Sequence, residues 1–108
     1  MIVFLNGNFL PETEALISIN DRGFMLGDGL FETMRVVNGR PFRMAQHLER
    51  LTRGLDYLKI TCPFTPRELQ KSAAELVDRV DTRRGKRTSS RNFVKEVRDE
   101  FQVRIVRP

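Results

Sequence analysis

Cysteine occurs once, at Cys62, so no internal disulfide can form and no cysteine-rich metal cluster can be built. Histidine also occurs once, at His47, which excludes a metal site made of several histidines. No apolar run approaches the ~20 residues that a bilayer-crossing helix needs, so a membrane partner is not expected. Residues 1–5 form the first apolar run, which stops at Asn6-Gly7 without a basic leader or a small-residue cleavage site. A secretory signal is therefore not expected, and a reducing cytoplasm is the expected compartment. Internal repeats and long low-complexity segments are absent as well. What remains is a chain of 108 residues, 40% hydrophobic and 31% charged, the composition of one modest globular domain.

The net charge of +5 is unevenly spread. Residues 1–78 hold 9 basic and 10 acidic groups, whereas residues 79–108 hold 10 basic and 4 acidic ones. The body thus has no electrostatic signature of a polyanion partner. A nucleic-acid-binding module would have to rest on the basic tail, where the only aromatics are Phe93 and Phe101. Nucleic acid is accordingly an unfavoured partner.

Local signals define the elements. Asn6-Gly7 lies between two short apolar runs and marks a type I′ hairpin, and Asn38-Gly39 repeats the signal between residues 30–37 and 41–43. From Met44 the period becomes helical, with Met44, Leu48, Leu51, Leu55 and Leu58 on one stripe. Gly54 inside that helix costs ~1 kcal/mol relative to Ala, and close packing against a neighbour is the usual reason to tolerate it. Thr65, Pro66 and Glu68 spell an N-cap, a first-turn proline and a capping box, followed by the stripe Leu69, Ala73, Leu76, Val77 and Val80. Residues 81–90 read as a solvated linker, with a weak helix over 92–101 and a short strand over 103–106 after it. The expected fold is α+β: a small antiparallel sheet built from hairpins, two helices on one face, and a basic, poorly patterned tail. The division falls between a domain at residues 1–80 and a linker or tail at 81–108.

The segment from Asp21 to Val36 is richest in possible chemistry. Three glycines, Gly23, Gly27 and Gly29, precede a strand whose period of two places Phe31, Thr33, Arg35 and Val37 on one face. Leu30, Glu32, Met34 and Val36 take the other. A face with a ring, a hydroxyl and a guanidinium suits a small anion with an apolar part, Arg35 gripping its carboxylate; a half-solvated edge strand is the plainer reading. His47 and Arg50 share a helix flank. Arg50 could hold a phosphate through its planar fork or simply pair with a surface glutamate, and His47 reads as a surface hydrogen bonder.

These motifs occur together in order: Asn6-Gly7, Asp21-Arg22-Gly23, Gly27-Asp28-Gly29, Phe31-Glu32-Thr33 and His47-Leu48-Glu49-Arg50-Leu51. In that combination residues 2–80 resemble the N-terminal domain of the class IV (fold type IV) pyridoxal-phosphate aminotransferases. That group includes branched-chain aminotransferases, D-amino acid transaminases and aminodeoxychorismate lyases. The resemblance implies pyridoxal 5′-phosphate as cofactor, amino acid and 2-oxo acid as substrates, and a homodimer. It implies that Arg50 binds the cofactor phosphate, that Phe31, Thr33 and Arg35 line the substrate side, and that Leu26 shapes a pocket toward the partner subunit. Leucine at 26 departs from the tyrosine or phenylalanine common there, which leaves the substrate subgroup open. The Schiff-base lysine and the acid beside the pyridine nitrogen belong to a second domain in that family. Lys59, Lys71, Lys86 and Lys95 do not match that lysine's context, so the chain is expected to be a truncated or split portion, inactive alone, with no catalytic residue of its own. Its alternative is the lyase of the same family.

Overall fold

A computed structural model describes residues 1–83 and 100–107, the last three residues of the first span by backbone only. β1 (Ile2–Leu5) and β2 (Asn8–Pro11) pair antiparallel around Asn6 and Gly7, whose φ angles of +49° and +91° give the turn a twist matching its strands. A five-residue helix, α1 (Arg22–Leu26), follows among the glycines that precede the next strand; the Phe24 N–H donates to Asp21 Oδ1 at 2.9 Å and caps it. β3 (Gly29–Val37) then turns through Asn38 and Gly39, at φ +51° and +73°, into β4 (Arg40–Pro41). This return is shorter than residues 41–43, because Arg43 at φ +55° swings the chain out of the sheet.

Two helices cover the strands. α2 (Met44–Leu58) buries Leu48, Leu51 and Leu55 against β3, while Leu58 at its end is exposed, since Lys59 at φ +54° redirects the chain there. Gly54 has its reason: a Cβ there would stand 2.7 Å from Leu30 Cδ1. α3 (Pro66–Arg83) opens with the reciprocal cap read from the sequence. The Glu68 N–H donates to Thr65 Oγ1 at 3.2 Å, and the Thr65 N–H donates to Glu68 Oε2 at 3.0 Å. Ala73 and Val77 are buried where α3 meets its neighbours α2, β1 and β4. The helix continues three residues past Val80 into the expected linker, whose first residues contain no breaker before Gly85.

β5 (Glu100–Val106) is the main departure from the expected tail. It pairs antiparallel with β3 from Gly29↔Val106 to Arg35↔Glu100, giving the sheet order β4-β3-β5 beside the separate β1-β2 pair. The strand expected at 103–106 therefore exists and begins three residues earlier. Glu100 and Phe101 are strand and not helix, because Phe101, Val103 and Ile105 alternate with polar residues and pack on the core. The rest of the expected helix, and linker residues 84–90, lie outside the described residues.

The core is made of Met34, Leu48, Leu51, Leu55, Ile60 and Ile105, with Met34 fully buried. Each such side chain contributes roughly 1.5–3 kcal/mol through removal from water. Arg107 fastens the end of β5. Its N–H donates to the Asp28 carbonyl at 3.1 Å and its Nε to Asp28 Oδ2 at 2.9 Å. Its terminal nitrogens donate to the carbonyls of Leu58 at 2.9 Å and Lys59 at 3.2 Å, satisfying the open end of α2. Among the described residues no helix is long and apolar enough to cross a membrane.

Candidate functional site

β3 presents two chemically different faces, because successive side chains point to opposite sides. On the side away from the core, Phe31 and Arg35 are exposed and Thr33 is half-buried. The β5 register sets Arg104, Gln102 and Glu100 opposite these three. Arg104 rests 5.6 Å from the centroid of the Phe31 ring, and its Nε and Nη2 donate to Gln102 Oε1 at 2.9 and 2.8 Å. Glu100 faces Arg35 across the pair, an opposite-charge neighbour. The structure thus brings Phe31, Thr33 and Arg35 onto one face, with β5 supplying its second half. Leu26 closes α1 and is exposed together with Phe24 and Met25.

The core side of the same strand carries a cluster that the sequence reading misses. Glu32 is only 5% exposed, and it is the buried charged side chain among the described residues. Arg50 grips it side-on: Nε donates to Oε1 at 2.6 Å and Nη2 to Oε2 at 2.7 Å. His47 Nδ1–H donates to Oε2 at 2.7 Å, since an ionised carboxylate only accepts. These donors sit three residues apart on α2, on the flank beside its apolar stripe. The Arg50 hydrogen bond holds the Glu32 carboxyl below the usual carboxylate range, burial opposes it, and His47 adds to the lowering. Arg50 is in turn held more firmly protonated by Glu32. The Arg50 side chain is nonetheless 68% exposed. So the glutamate that Arg50 meets is an inward acid on the strand, and the far end of the guanidinium opens to solvent. Arg50 lies on the core side of β3 and the Phe31 face lies on the other. One signal for Glu32 is present in the sequence: an acid in the apolar series Leu30, Met34, Val36.

A family model described as amino-transferase class IV matches residues 29–97. D-alanine aminotransferase from Staphylococcus aureus is 40% identical over 76 residues, covering 70% of this chain and 27% of that protein. Among solved structures, the T.th. branched-chain amino acid aminotransferase complexed with N-(5′-phosphopyridoxyl)-L-glutamate superposes with a TM-score of 0.60 at 28% identity, covering 78% of this chain and 28% of that one. A 4-amino-4-deoxychorismate lyase from Pseudomonas aeruginosa gives a TM-score of 0.54 at 36% identity, over 61% of this chain and 24% of that one. The chain spans about a quarter of the length of these relatives. The family match takes in β3, β4, α2 and α3, so Phe31, Thr33, Arg35 and the Glu32 cluster fall within it, and it extends over more than half the residues. By that span, and by the fold it shares with these enzymes, the chain belongs to the class IV amino-transferases.

Proposed function

We propose that this chain is the N-terminal portion of a pyridoxal 5′-phosphate-dependent aminotransferase that moves an amino group between an amino acid and a 2-oxo acid. The observation that carries the reading is Arg50, held side-on from within and open at its other end. That free end is a planar fork, which suits a phosphate dianion. When bound, the cofactor supplies an electron sink for carbanion chemistry. Arg50 holds its phosphate, Phe31 and Thr33 line the substrate side, Arg35 meets a substrate carboxylate, and Leu26 shapes a pocket at the boundary with a second subunit. Lys59 closes α2 and Lys71 lies on α3, so neither shares β3 with the substrate face. Lys86 and Lys95 lie outside the described residues, and it is the resemblance, in which the covalent lysine belongs to a second domain, that assigns it elsewhere. Leu16, Ile17, Ile19, Phe24, Met25 and Leu26 are exposed apolar side chains that need cover, and a second copy in the cytoplasm is the cover proposed.

The test fuses these residues to the remainder of the Staphylococcus aureus D-alanine aminotransferase. Charge-assisted hydrogen bonds contribute ~1.5–3 kcal/mol each, so Arg50→Lys should weaken cofactor binding by on the order of tenfold to a hundredfold. Arg53→Lys, at an exposed position on the same helix, should change it little. Arg35→Lys should spare the cofactor and raise the substrate KM. Equal effects at Arg50 and Arg53 would sink the assignment. The lyase reading draws on the 36% identity to the Pseudomonas aeruginosa enzyme, and pyruvate release by a fusion to that enzyme's remainder tests it.

A further inference from the structure

Burying a carboxylate on the core side of β3 is costly, and a well-packed apolar residue at position 32 would serve the core at least as well. An ion pair whose basic partner is 68% exposed returns little stability. The arrangement accomplishes something else. Oε1 takes Arg50 Nε while Oε2 takes both Arg50 Nη2 and His47 Nδ1–H, so the carboxylate can neither rotate nor release the guanidinium without losing several bonds. Among the described residues Nη1 takes part in no hydrogen bond, and the side chain as a whole is largely exposed. A long, rotamer-rich side chain at the surface is thereby fixed before any ligand arrives.

We propose that Glu32 is a positioning residue, which orients Arg50 for a phosphate monoester dianion with His47 as the latch on its carboxylate. This rests on the reading that Arg50 meets the cofactor phosphate. Ligand and glutamate take different edges of the same guanidinium, so the phosphate adds to the Glu32 pair and does not replace it. Preorganising one such side chain corresponds to about two- to tenfold in affinity.

The experiment uses the 108-residue chain labelled at arginine, with inorganic phosphate as the probe at constant ionic strength. In the wild type, the Arg50 Nε–H resonance should exchange slowly with water, and phosphate should shift the Arg50 signals. Arg50→Gln should abolish that response. Glu32→Gln should lose the protected Nε–H and weaken phosphate binding about two- to tenfold, although it removes a negative charge. Phosphate affinity that is unchanged or tighter in folded Glu32→Gln, with Arg50→Gln still defective, overturns the positioning role and leaves Arg50 as the phosphate residue. Phosphate binding that survives Arg50→Gln overturns the underlying reading instead. If Glu32→Gln does not fold, the wild type decides. An Nε–H that stays protected at saturating phosphate supports simultaneous binding, and one that becomes freely exchanging shows Glu32 displaced.

Discussion

Substituting alanine for Gly29 tests a tight approach between β3 and β5. The added Cβ would lie 2.6 Å from the Ile105 carbonyl oxygen, 3.2 Å from Val106 Cα and 3.3 Å from Val106 Cγ2. Carbon and carbonyl oxygen settle no nearer than about 3.3 Å, so β3 and β5 would have to part by roughly 0.7 Å. The obstructing atom is backbone and cannot rotate away. Overpacking of this kind costs ~1–3 kcal/mol, and losing the terminal rung at Gly29↔Val106 adds ~0.5–1.5 kcal/mol. A loss of about 2–4 kcal/mol is a large share of the ~5–15 kcal/mol that holds a domain folded. Thermal unfolding followed by circular dichroism should show Tm lower by on the order of 10–25 °C. Gly54→Ala is the control. Its Cβ meets the end of the Leu30 side chain, which can turn aside, and the helix gains ~1 kcal/mol from alanine. That variant should stay within about 1 kcal/mol of the wild type. A Gly29→Ala protein as stable as its parent, or one less damaged than Gly54→Ala, would refute the tight strand approach.

Other outcomes follow from features already described. Met34→Ala should cost ~2–5 kcal/mol in urea unfolding, because Met34 is fully enclosed. Thr65→Ala should cost ~1 kcal/mol by uncapping α3, measurable in the same way. Glu32 and Asp28 both have lowered carboxyl pKa values, each chiefly through an arginine hydrogen bond. The stability they contribute is complete above the unfolded carboxylate values near ~4 and is lost as pH falls through the lower folded ones. Folded Glu32→Gln should show a flatter acid limb, and an unchanged limb would contradict this account. Phe24→Ser with Leu26→Ser should shift the chain toward monomer in sedimentation, and association unaltered by the pair would remove that surface from the proposed interface.

What the sequence discloses is mostly local. Both Asn-Gly turns and the Thr65–Glu68 cap are legible because a few adjacent residues dictate backbone angles and donors on their own. The α2 stripe is legible by period, except at Leu58, where the helix ends and periodicity no longer governs burial. β5 is understated by its sequence because its apolar residues Phe101, Val103 and Ile105 sit in arginine-rich surroundings, and its partner lies some seventy residues earlier. Alternation alone places Phe31, Thr33 and Arg35 on one face, yet Gln102 and Arg104 complete that face only through tertiary pairing. Glu32 is hidden for a similar reason. Its two donors are 15 and 18 residues away, and nothing in a strand pattern names the helix that will lie over it.

Arg107 binds Asp28 across 79 residues, and β5 meets β3 over nearly the same separation. A ribosome releases this chain from the N-terminus, so β1, β2, β3, β4, α2 and α3 all emerge before the strand that completes the sheet. Until then the long edge of β3 has unpaired N–H and C=O groups, and the last carbonyls of α2 await the Arg107 guanidinium. Closing a loop of that length is the slow part of folding. The sheet is therefore locked by the last of the described strands to emerge. A nascent chain halted before residue 100 would expose a sticky strand edge to whatever neighbour comes first.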